Sequence, residues 1–295
     1  MKFLCAISFI VFLSLSSCED AFTTIIELDP PKFEPAIVLQ SEIANGSDFV
    51  IFNVSRNYGV LEDPFNDPDN YLLNDAKLIF SVNGLTYQGV NTIDPPNSFD
   101  NFEVSLAQPI KAGDVLLCTV SNPGFKDIIA RTQVPEPTMI NNVKFVENGG
   151  LDQSGDERSK IVIDFDDPPG RNFYMIDVMI NDFGPSFRPI SISSIDPSVS
   201  ESHRAFTLLV EDSSFDRKRK LLDVLFFRLA EARALGNIRL SWRTISEEYY
   251  KYSKTFLNYQ NSKDNPFATP VNVFTNIENG LGIFSAYNEQ IIIVE

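Results

Sequence analysis

Cys18 is the residue whose surroundings most clearly specify a chemistry. It closes the tetrapeptide LSSC, in which a branched apolar residue and two small residues precede a cysteine. This is the pattern of a lipobox: small residues fit the signal-peptidase cleft, and the thiol takes up diacylglycerol. The preceding apolar stretch, Phe3–Leu15, is too short to span a membrane, which needs about 20 apolar residues. We therefore predict a lipoprotein signal peptide at residues 1–17 and lipidation of Cys18; an ordinary secretory signal with a chance cysteine is the alternative.

Further thiol chemistry is limited, because Cys5 lies in the predicted signal peptide and Cys118 is then the single thiol of the folded part. One cysteine cannot form an internal disulfide, and it cannot build a metal site alone. Cys118 lies in the run VLLCTV, where alternation places it on the same strand face as Leu116 and Val120. We interpret it as a small buried hydrophobe rather than a reactive thiol.

His203 is the single histidine, and it lies in the polar stretch SVSESHR. The sequence contains no HExxH, GxSxG, Walker or GxGxxG pattern, so a hydrolytic triad built on His203 is not expected. Asp164, Asp166 and Asp167 adjoin the turn sequence PPG, where acidic side chains commonly cap the turn. We predict no enzyme activity and no cofactor. A carboxylate-based glycosidase, with facing acids about 5–9 Å apart, is the enzyme alternative.

The loop DPFNDPDN at positions 63–70 concentrates oxygen ligands. Asp63, Asp67 and Asp69 could bind calcium, but the loop lacks the glycine and the terminal glutamate of an EF-hand loop. A solvated, proline-stiffened loop is the favoured interpretation, so no metal is assigned. The basic run RKRK at positions 217–220 is interpreted as a solvated hairpin turn, with contact to lipid phosphates as the alternative.

The composition restricts the classes of partner. The formal net charge is −16, with 43% hydrophobic and 22% charged residues, which is typical of a globular but acidic chain. Such a chain does not bind nucleic acid, and its own field does not draw it to anionic lipid headgroups. Membrane attachment therefore depends on the predicted lipid.

The elements that position these residues are mostly short strands. The chain has 25 Phe, 9 Tyr and 18 Pro, and alternating apolar runs are separated by turn residues. The dipeptide Asn83-Gly84 predicts a tight hairpin. Apolar spacing of three and four residues predicts one amphipathic helix from Ser246 to about Gln260, whose aromatic stripe we interpret as core packing. Two short strands, Leu281–Tyr287 and Gln290–Val294, are predicted to follow.

We predict a mainly β fold with two β-sandwich domains, immunoglobulin-like or transthyretin-like, and one short helix near the C-terminus. A proline-stiffened tether covers residues 18–35, part of which could add to a sheet edge. The sequence PEP at positions 135–137 then separates an N-terminal sandwich at 36–134 from a C-terminal β-rich domain at 138–295.

The segment Tyr249–Tyr287 resembles the closing signature of the Bacteroidota lipoprotein family called domain of unknown function 4249 (DUF4249). A Tyr-Tyr-x-Tyr helix is followed there by Asn-Pro-Phe and by Asn-Ile-x-Asn-Gly-x-Gly-x-Phe. Phe165–Val178 and Val210–Lys220 are similar to two further segments of the family. One departure is Arg217, which stands where the family usually has a glycine after Phe-Asp. The resemblance spans nearly the whole mature chain, although the N-terminal half matches only in pattern.

The resemblance implies an outer-membrane lipoprotein that is an accessory to a TonB-dependent receptor or a similar β-barrel. Glu19-Asp20 is similar to the phylum's surface-export signal, so cell-surface attachment is expected, with the periplasmic face as the alternative. A structural or adhesive surface protein is the alternative function. We predict that Phe267, in the loop Asn265–Phe267, contacts the partner; the alternative is that it folds back over the core.

Overall fold

The computed structural model describes residues 34–59, 62, 71–92, 100–181, 186–227, 238–265 and 267–294. The described residues of Pro35–Tyr58 and Pro64–Glu295 form one compact unit. Cys18, Glu19-Asp20, the tether up to residue 33, and Asp63, Asp67 and Asp69 lie outside the described residues.

Nineteen strands and one α-helix form the described part. The strands are β1 (Ile37–Ala44), β2 (Phe49–Arg56), β3 (Lys77–Val82), β4 (Leu85–Gln88), β5 (Val90–Asn91), β6 (Phe102–Ser105), β7 (Val115–Ser121), β8 (Ile128–Gln133), β9 (Ile140–Leu151), β10 (Glu157–Asp166), β11 (Phe173–Ile180), β12 (Arg188–Pro189), β13 (Ile192–Ser193), β14 (Val199–Glu201), β15 (Thr207–Glu211), β16 (Arg219–Phe226), β17 (Ile238–Ile245), β18 (Ile277–Glu278) and β19 (Leu281–Val294). The helix, α1, is Glu247–Ser262, and a 3-10 turn covers Asp212–Ser214. The fold is therefore mainly β, as the alternating apolar runs predict.

The strands form three sheets. The largest has ten strands in the order β14-β15-β11-β17-β19-β1-β2-β6-β5, with β12 also paired to β11. A four-stranded sheet runs β13-β16-β10-β9, and a five-stranded sheet runs β18-β8-β7-β3-β4. At the centre of the largest sheet, β1 pairs in parallel with β19 and antiparallel with β2. Strands from the two ends of the described chain are therefore neighbours.

The first hydrophobic core lies between the ten-stranded and five-stranded sheets. Phe52 of β2, Phe80 of β3 and Phe284 of β19 meet in it, with ring centroids 5.5–6.5 Å apart. Cys118 of β7 is fully buried in the same core, which confirms its interpretation as a packed side chain. Burial of these large rings is the main local source of stability, at about 25 cal/mol per Å² of apolar surface.

The second core lies between the ten-stranded and four-stranded sheets. Phe165 of β10, Tyr174 of β11 and Trp242 of β17 pack together, with Trp242 4.7 Å from each of the other two rings. The Trp242 indole N–H donates to the carbonyl of Thr138 at 3.0 Å, so its buried polar group is satisfied. Because β19 supplies Phe284 to the first core and Val294 to the second, it links both. The predicted domain division at 135–137 stays a prediction.

Helix α1 covers the face of the large sheet opposite the second core. Ser246 is its N-cap and accepts a hydrogen bond from the Tyr249 N–H, and Glu247 and Glu248 occupy the first turn, where the helix dipole favours acids. Tyr249 and Tyr250 pack on Phe173 and neighbouring sheet residues. The predicted helix is confirmed.

The Asn83-Gly84 hairpin is confirmed between β3 and β4, where Val82 pairs with Leu85. Both turn residues have positive φ, 49° and 87°, which a tight turn of this kind requires and which Asn and Gly tolerate. The prediction of two final strands is wrong, because β19 is continuous. Asn288 and Glu289, the polar residues between the two predicted strands, pair with Thr244 and Arg243 of β17. The strand therefore continues through them.

Gly282 of β19 lies directly beside Leu39 of β1 in the parallel pair. Its φ is +104°, and a Cβ built there would lie 2.1 Å from the backbone oxygen of Leu39. Both atoms belong to paired strands, so neither can move aside easily. The chain approach at this point therefore requires glycine.

Candidate functional site

A cleft of about 550 Å³ lies on the face of the ten-stranded sheet that points away from the first core. We call it the α1 cleft. Its lining residues are Gln40, Ser41, Glu42, Ile51, Asn53, Asp100, His203, Arg204, Arg243, Tyr252, Phe256, Ile283 and Tyr287. The volume is within the range of small-molecule sites, about 300–1,000 Å³.

Strand alternation builds the floor of the cleft. In β1, Leu39 and Ile43 point into the first core, so Gln40 and Glu42 lie on the opposite face. Gln40 pairs with Asn53 of β2 on one side and Ile283 of β19 on the other. The floor is therefore a cross-strand row of polar and apolar side chains on rigid, internal strands.

An ion pair crosses the cleft. The Arg204 Nη2 donates to both carboxylate oxygens of Glu42, at 2.7 and 2.8 Å. Burial raises the pKa of Glu42, whereas Arg204 and Arg243 act in the opposite direction. This pair fixes the loop before β15 to the central strand β1.

Arg243 projects from β17 on the same sheet face. Its Nε donates to Glu289 at 2.9 Å, and its Nη1 lies 3.4 Å from Asp177. Burial lowers the pKa of this guanidinium, but Glu289 and Asp177 more than offset it, so the pKa lies above its ordinary value. Arg243 is therefore held as a cation between two acids, under the ring of Tyr287, 5.1 Å away.

Aromatic rings of α1 form one wall of the cleft. Tyr252 and Phe256 are nearly parallel, with centroids 5.5 Å apart, and the imidazole of His203 meets both edge-on at 5.5 and 5.4 Å. Core packing therefore accounts for only part of the aromatic stripe of α1. Tyr249 and Tyr252 are buried, whereas Phe256 is half-buried and Tyr259 is exposed.

His203 is bound to α1 rather than arranged for catalysis. Its Nδ1 lies 2.9 Å from the Ser253 Oγ, and the Ser202 Oγ lies 3.0 Å from the same atom. A serine nucleophile must reach its substrate, yet Ser253 is 0% exposed. Burial, with a smaller contribution from Arg204, lowers the pKa of His203 from 6.5 to about 4.

This lowered pKa predicts an acid-sensitive contribution to stability. A histidine that is neutral when folded stabilises the fold above its unfolded pKa of 6.5, and the contribution is lost as the pH falls towards 4. Between pH 7 and pH 4 we expect the free energy of unfolding of the native chain to fall by about 2 kcal/mol more than that of His203→Gln. Urea titrations at both pH values measure the difference. Equal losses in the two proteins would contradict the assignment.

A second group of acids, Asp167, Asp212 and Asp216, has carboxylate oxygens within 4.8 Å of one another. Each accepts protein donors: Tyr174 O–H donates to Asp167, the Asn172 N–H donates to Asp212 at 2.7 Å, and the Gly170 N–H donates to Asp216 at 3.0 Å. Burial raises the pKa of Asp167 and of Asp212. These acids hold the turns that follow β10 and β15.

The basic run at positions 217–220 is largely ion-paired with acidic side chains. Arg219 donates to both oxygens of Asp164, at 2.7 and 2.5 Å, and Lys220 donates to Asp196 at 2.6 Å. Arg217 also lies 3.9 Å from Asp216, so three of the four basic residues at positions 217–220 are ion-paired. Arg217 has φ 61°, in the left-handed region that favours glycine, which is the residue that the family resemblance leads us to expect at this position.

Phe267 is 95% exposed and does not cover the core. Its N–H donates to the Asn265 Oδ1 at 3.0 Å, which shapes the loop and leaves the ring outside. Contact with a partner stays a prediction.

The sequence alone does not indicate the α1 cleft. Alternation in β1 marks Gln40 and Glu42 as outward-facing, but nothing in the sequence indicates that Arg204, from a loop 162 positions away, binds Glu42. Strand pairing between β1 and β19 creates this neighbourhood, and such long-range pairing has no local signal.

Comparisons with other proteins give one family. The model of a family described as "Domain of unknown function (DUF4249)" matches residues 23–292. No curated protein matches the sequence. Among solved structures, a DUF4785 family protein from Legionella pneumophila subsp. pneumophila str. Philadelphia 1 matches with 14% identity and a TM-score of 0.26, covering 70% of this chain and 52% of that chain. Across the residues that the structure describes, no helix has the length and hydropathy for a membrane span.

Proposed function

We propose, from the premise that the chain belongs to the DUF4249 family, that it is a lipid-anchored outer-membrane binding protein. The α1 cleft is the observation that carries this proposal: polar and aromatic side chains surround a small-molecule-sized volume whose charged groups are already paired. Because the charged side chains are paired and Ser253 is buried, the cleft is better suited to binding a ligand than to a nucleophilic reaction with it. Cys18, at the lipobox, is the proposed membrane anchor.

The proposed partner is an outer-membrane β-barrel of the TonB-dependent type. A tether from Cys18 to residue 35 reaches up to about 55 Å at roughly 3.3 Å per residue, long enough to place a folded domain over a barrel mouth. Glu19-Asp20 supports attachment at the cell surface. On the fold, we propose that the paired sheets around each core are immunoglobulin-like or transthyretin-like sandwiches.

The exposed ring of Phe267 supports a contact with that partner. An aromatic side chain that is 95% in water contributes nothing to the core, whereas aromatic side chains dominate the binding energy of interfaces. A photoreactive amino acid at position 267, activated in intact cells, should give adducts with an outer-membrane barrel. The same amino acid at position 221, where Leu221 is 62% exposed on β16, should give far fewer.

Mass spectrometry of the adducts and of proteins that co-purify from solubilised outer membranes identifies the partner. Only intramolecular products from position 267, with no barrel in the co-purified material, would favour a structural or adhesive surface protein instead.

A further inference from the structure

The final part of β19, after Tyr287, forms an open edge of the ten-stranded sheet. β1 pairs with β19 only as far as Tyr287, whereas β17 pairs with it up to Val294. The Tyr287 carbonyl accepts the Asn45 N–H at 2.9 Å, so this residue directs its backbone groups towards the side of β1. Because this direction alternates along a strand, Ile291 and Ile293 direct their N–H and C=O groups to the same side. Among the described residues, no strand pairs with them there.

This edge lacks the features that keep other edges unpaired. Residues 290–294 have the sequence QIIIV, without charge or proline, and Ile291 and Ile293 are 52% and 44% exposed. An apolar edge of this kind is a template for pairing with another strand. The other described edge strands differ: β4, β5, β12, β13, β14 and β18 have four residues or fewer. The longer β9 carries Lys144 and has register shifts against β10, and both features discourage pairing.

β9 borders the same side of the second core as this edge. The Ile140 N–H of β9 donates to the Gln290 Oε1 of β19 at 3.3 Å. Half-buried apolar side chains of both strands border the core on this side: Ile140, Val143, Phe145 and Ile292. A single peptide strand would pair with β19 but would extend only one of the two layers. The edge of a second sandwich extends both layers, and another copy of this chain supplies such an edge.

Charge does not oppose self-association at this edge. The chain has a net charge of −16, but residues 290–294 carry none, and the neighbouring Glu289 is paired with Arg243 at 2.9 Å. Charges more than about 8 Å apart are largely screened at physiological ionic strength. The exposed isoleucines of one copy therefore face those of the other without repulsion, and such β-branched cross-strand pairs stabilise a sheet.

We propose that two copies of the chain pair through the open edge of β19, antiparallel and about a two-fold axis. The two ten-stranded sheets then continue into each other, and β9 of one copy packs beside β9 of the other. The open edge is about 23 Å long, and two packed sheets with their outer side chains are roughly 20 Å thick. Such a face buries roughly 1,000 Å² in total, which is at the lower limit of a specific interface, so we expect a dimer of micromolar affinity. This inference goes beyond the proposed binding function and does not depend on it.

Thiol crosslinking of the purified full chain in detergent tests the inference. Ile291→Cys, treated with a bis-maleimide that spans about 8 Å, should give a covalent dimer, because opposite and diagonal positions of an antiparallel pair lie within that distance. The matched control is Leu281→Cys, since Leu281 is 43% exposed on the same strand but β1 occupies the edge beside it. It should give no more dimer than the native chain, in which Cys118 is buried.

Sedimentation equilibrium at tens of micromolar gives the second measurement. The native chain and Ile291→Val should have the mass of two copies, whereas Ile291→Lys should weaken the dimer at least tenfold, because it places a charge on the pairing edge. Thermal unfolding checks that each variant folds. A monomeric native chain, or equal crosslinking at positions 281 and 291, overturns the inference. So does a position 291 that is protected from maleimide without forming a dimer, since another segment of the same chain then covers the edge. The adducts at position 267 test the barrel partnership separately, so the two proposals can fail independently.

Discussion

Gly282→Ala is expected to lower the free energy of unfolding by at least about 3 kcal/mol. The added Cβ would lie 2.1 Å from the Leu39 carbonyl oxygen, well inside contact distance, and the backbone φ of +104° is unfavourable for any L side chain. Relief requires a shift of β19 against β1, which pair in parallel over seven residues from Val38 to Ala44. Overpacking alone costs typically 1–3 kcal/mol, and the strained φ adds to it. Urea unfolding of the variant measures the loss.

Gly46→Ala is the matched control, because Gly46 also has positive φ, +86°, but nothing lies within 4 Å of the added Cβ. Gly46→Ala should lower the free energy of unfolding by only about 1 kcal/mol, which is the cost of placing an L residue in the left-handed backbone conformation. If the two variants lose the same stability, the close approach of β19 to β1 is not what requires glycine at position 282.

Cys18→Ala is expected to move the protein from the membrane fraction to the soluble fraction. Lipid chains on a mature N-terminal cysteine contribute roughly 0.8 kcal/mol per buried methylene, and with two or more chains the attachment is stable. The acidic chain has no attraction of its own for anionic headgroups. Metabolic labelling with a clickable fatty acid, followed by fractionation, measures both the modification and the location.

Cys5→Ala changes a cysteine in the same N-terminal segment without touching the lipobox, and it should leave labelling and fractionation unchanged. A Cys18→Ala protein that stays in the membrane fraction and keeps its acyl label would exclude Cys18 as the lipidated residue.

Local features were predictable from the sequence because their causes are local. Asn83-Gly84 specifies a tight turn through the φ values that the two residues tolerate, and the Ser246 cap with its apolar spacing specifies α1. The burial of Cys118 follows from alternation within β7. These predictions need no knowledge of what the strands pack against.

Features that depend on distant partners were not predictable. The α1 cleft exists because β1 lies between β2 and β19, and because Arg204 reaches Glu42. Phe256 and Tyr252 continue one helical stripe and both line the cleft, yet Phe256 is half-buried and Tyr252 is buried. Sequence periodicity gives the face of an element but not the depth at which each residue lies.

The parallel pairing of β1 with β19 has a consequence for how the chain reaches its native state. Asn45 and Asn288 form a hydrogen bond across 243 positions of sequence. The central neighbour of β1 is therefore synthesised long after β1 itself, and until then β1 has an open edge and the first core lacks Phe284. Closing so long a loop is slow, because chain entropy is lost before any contact forms. Until β19 arrives, the chain consequently carries an unpaired strand edge and an incomplete first core, and both favour aggregation.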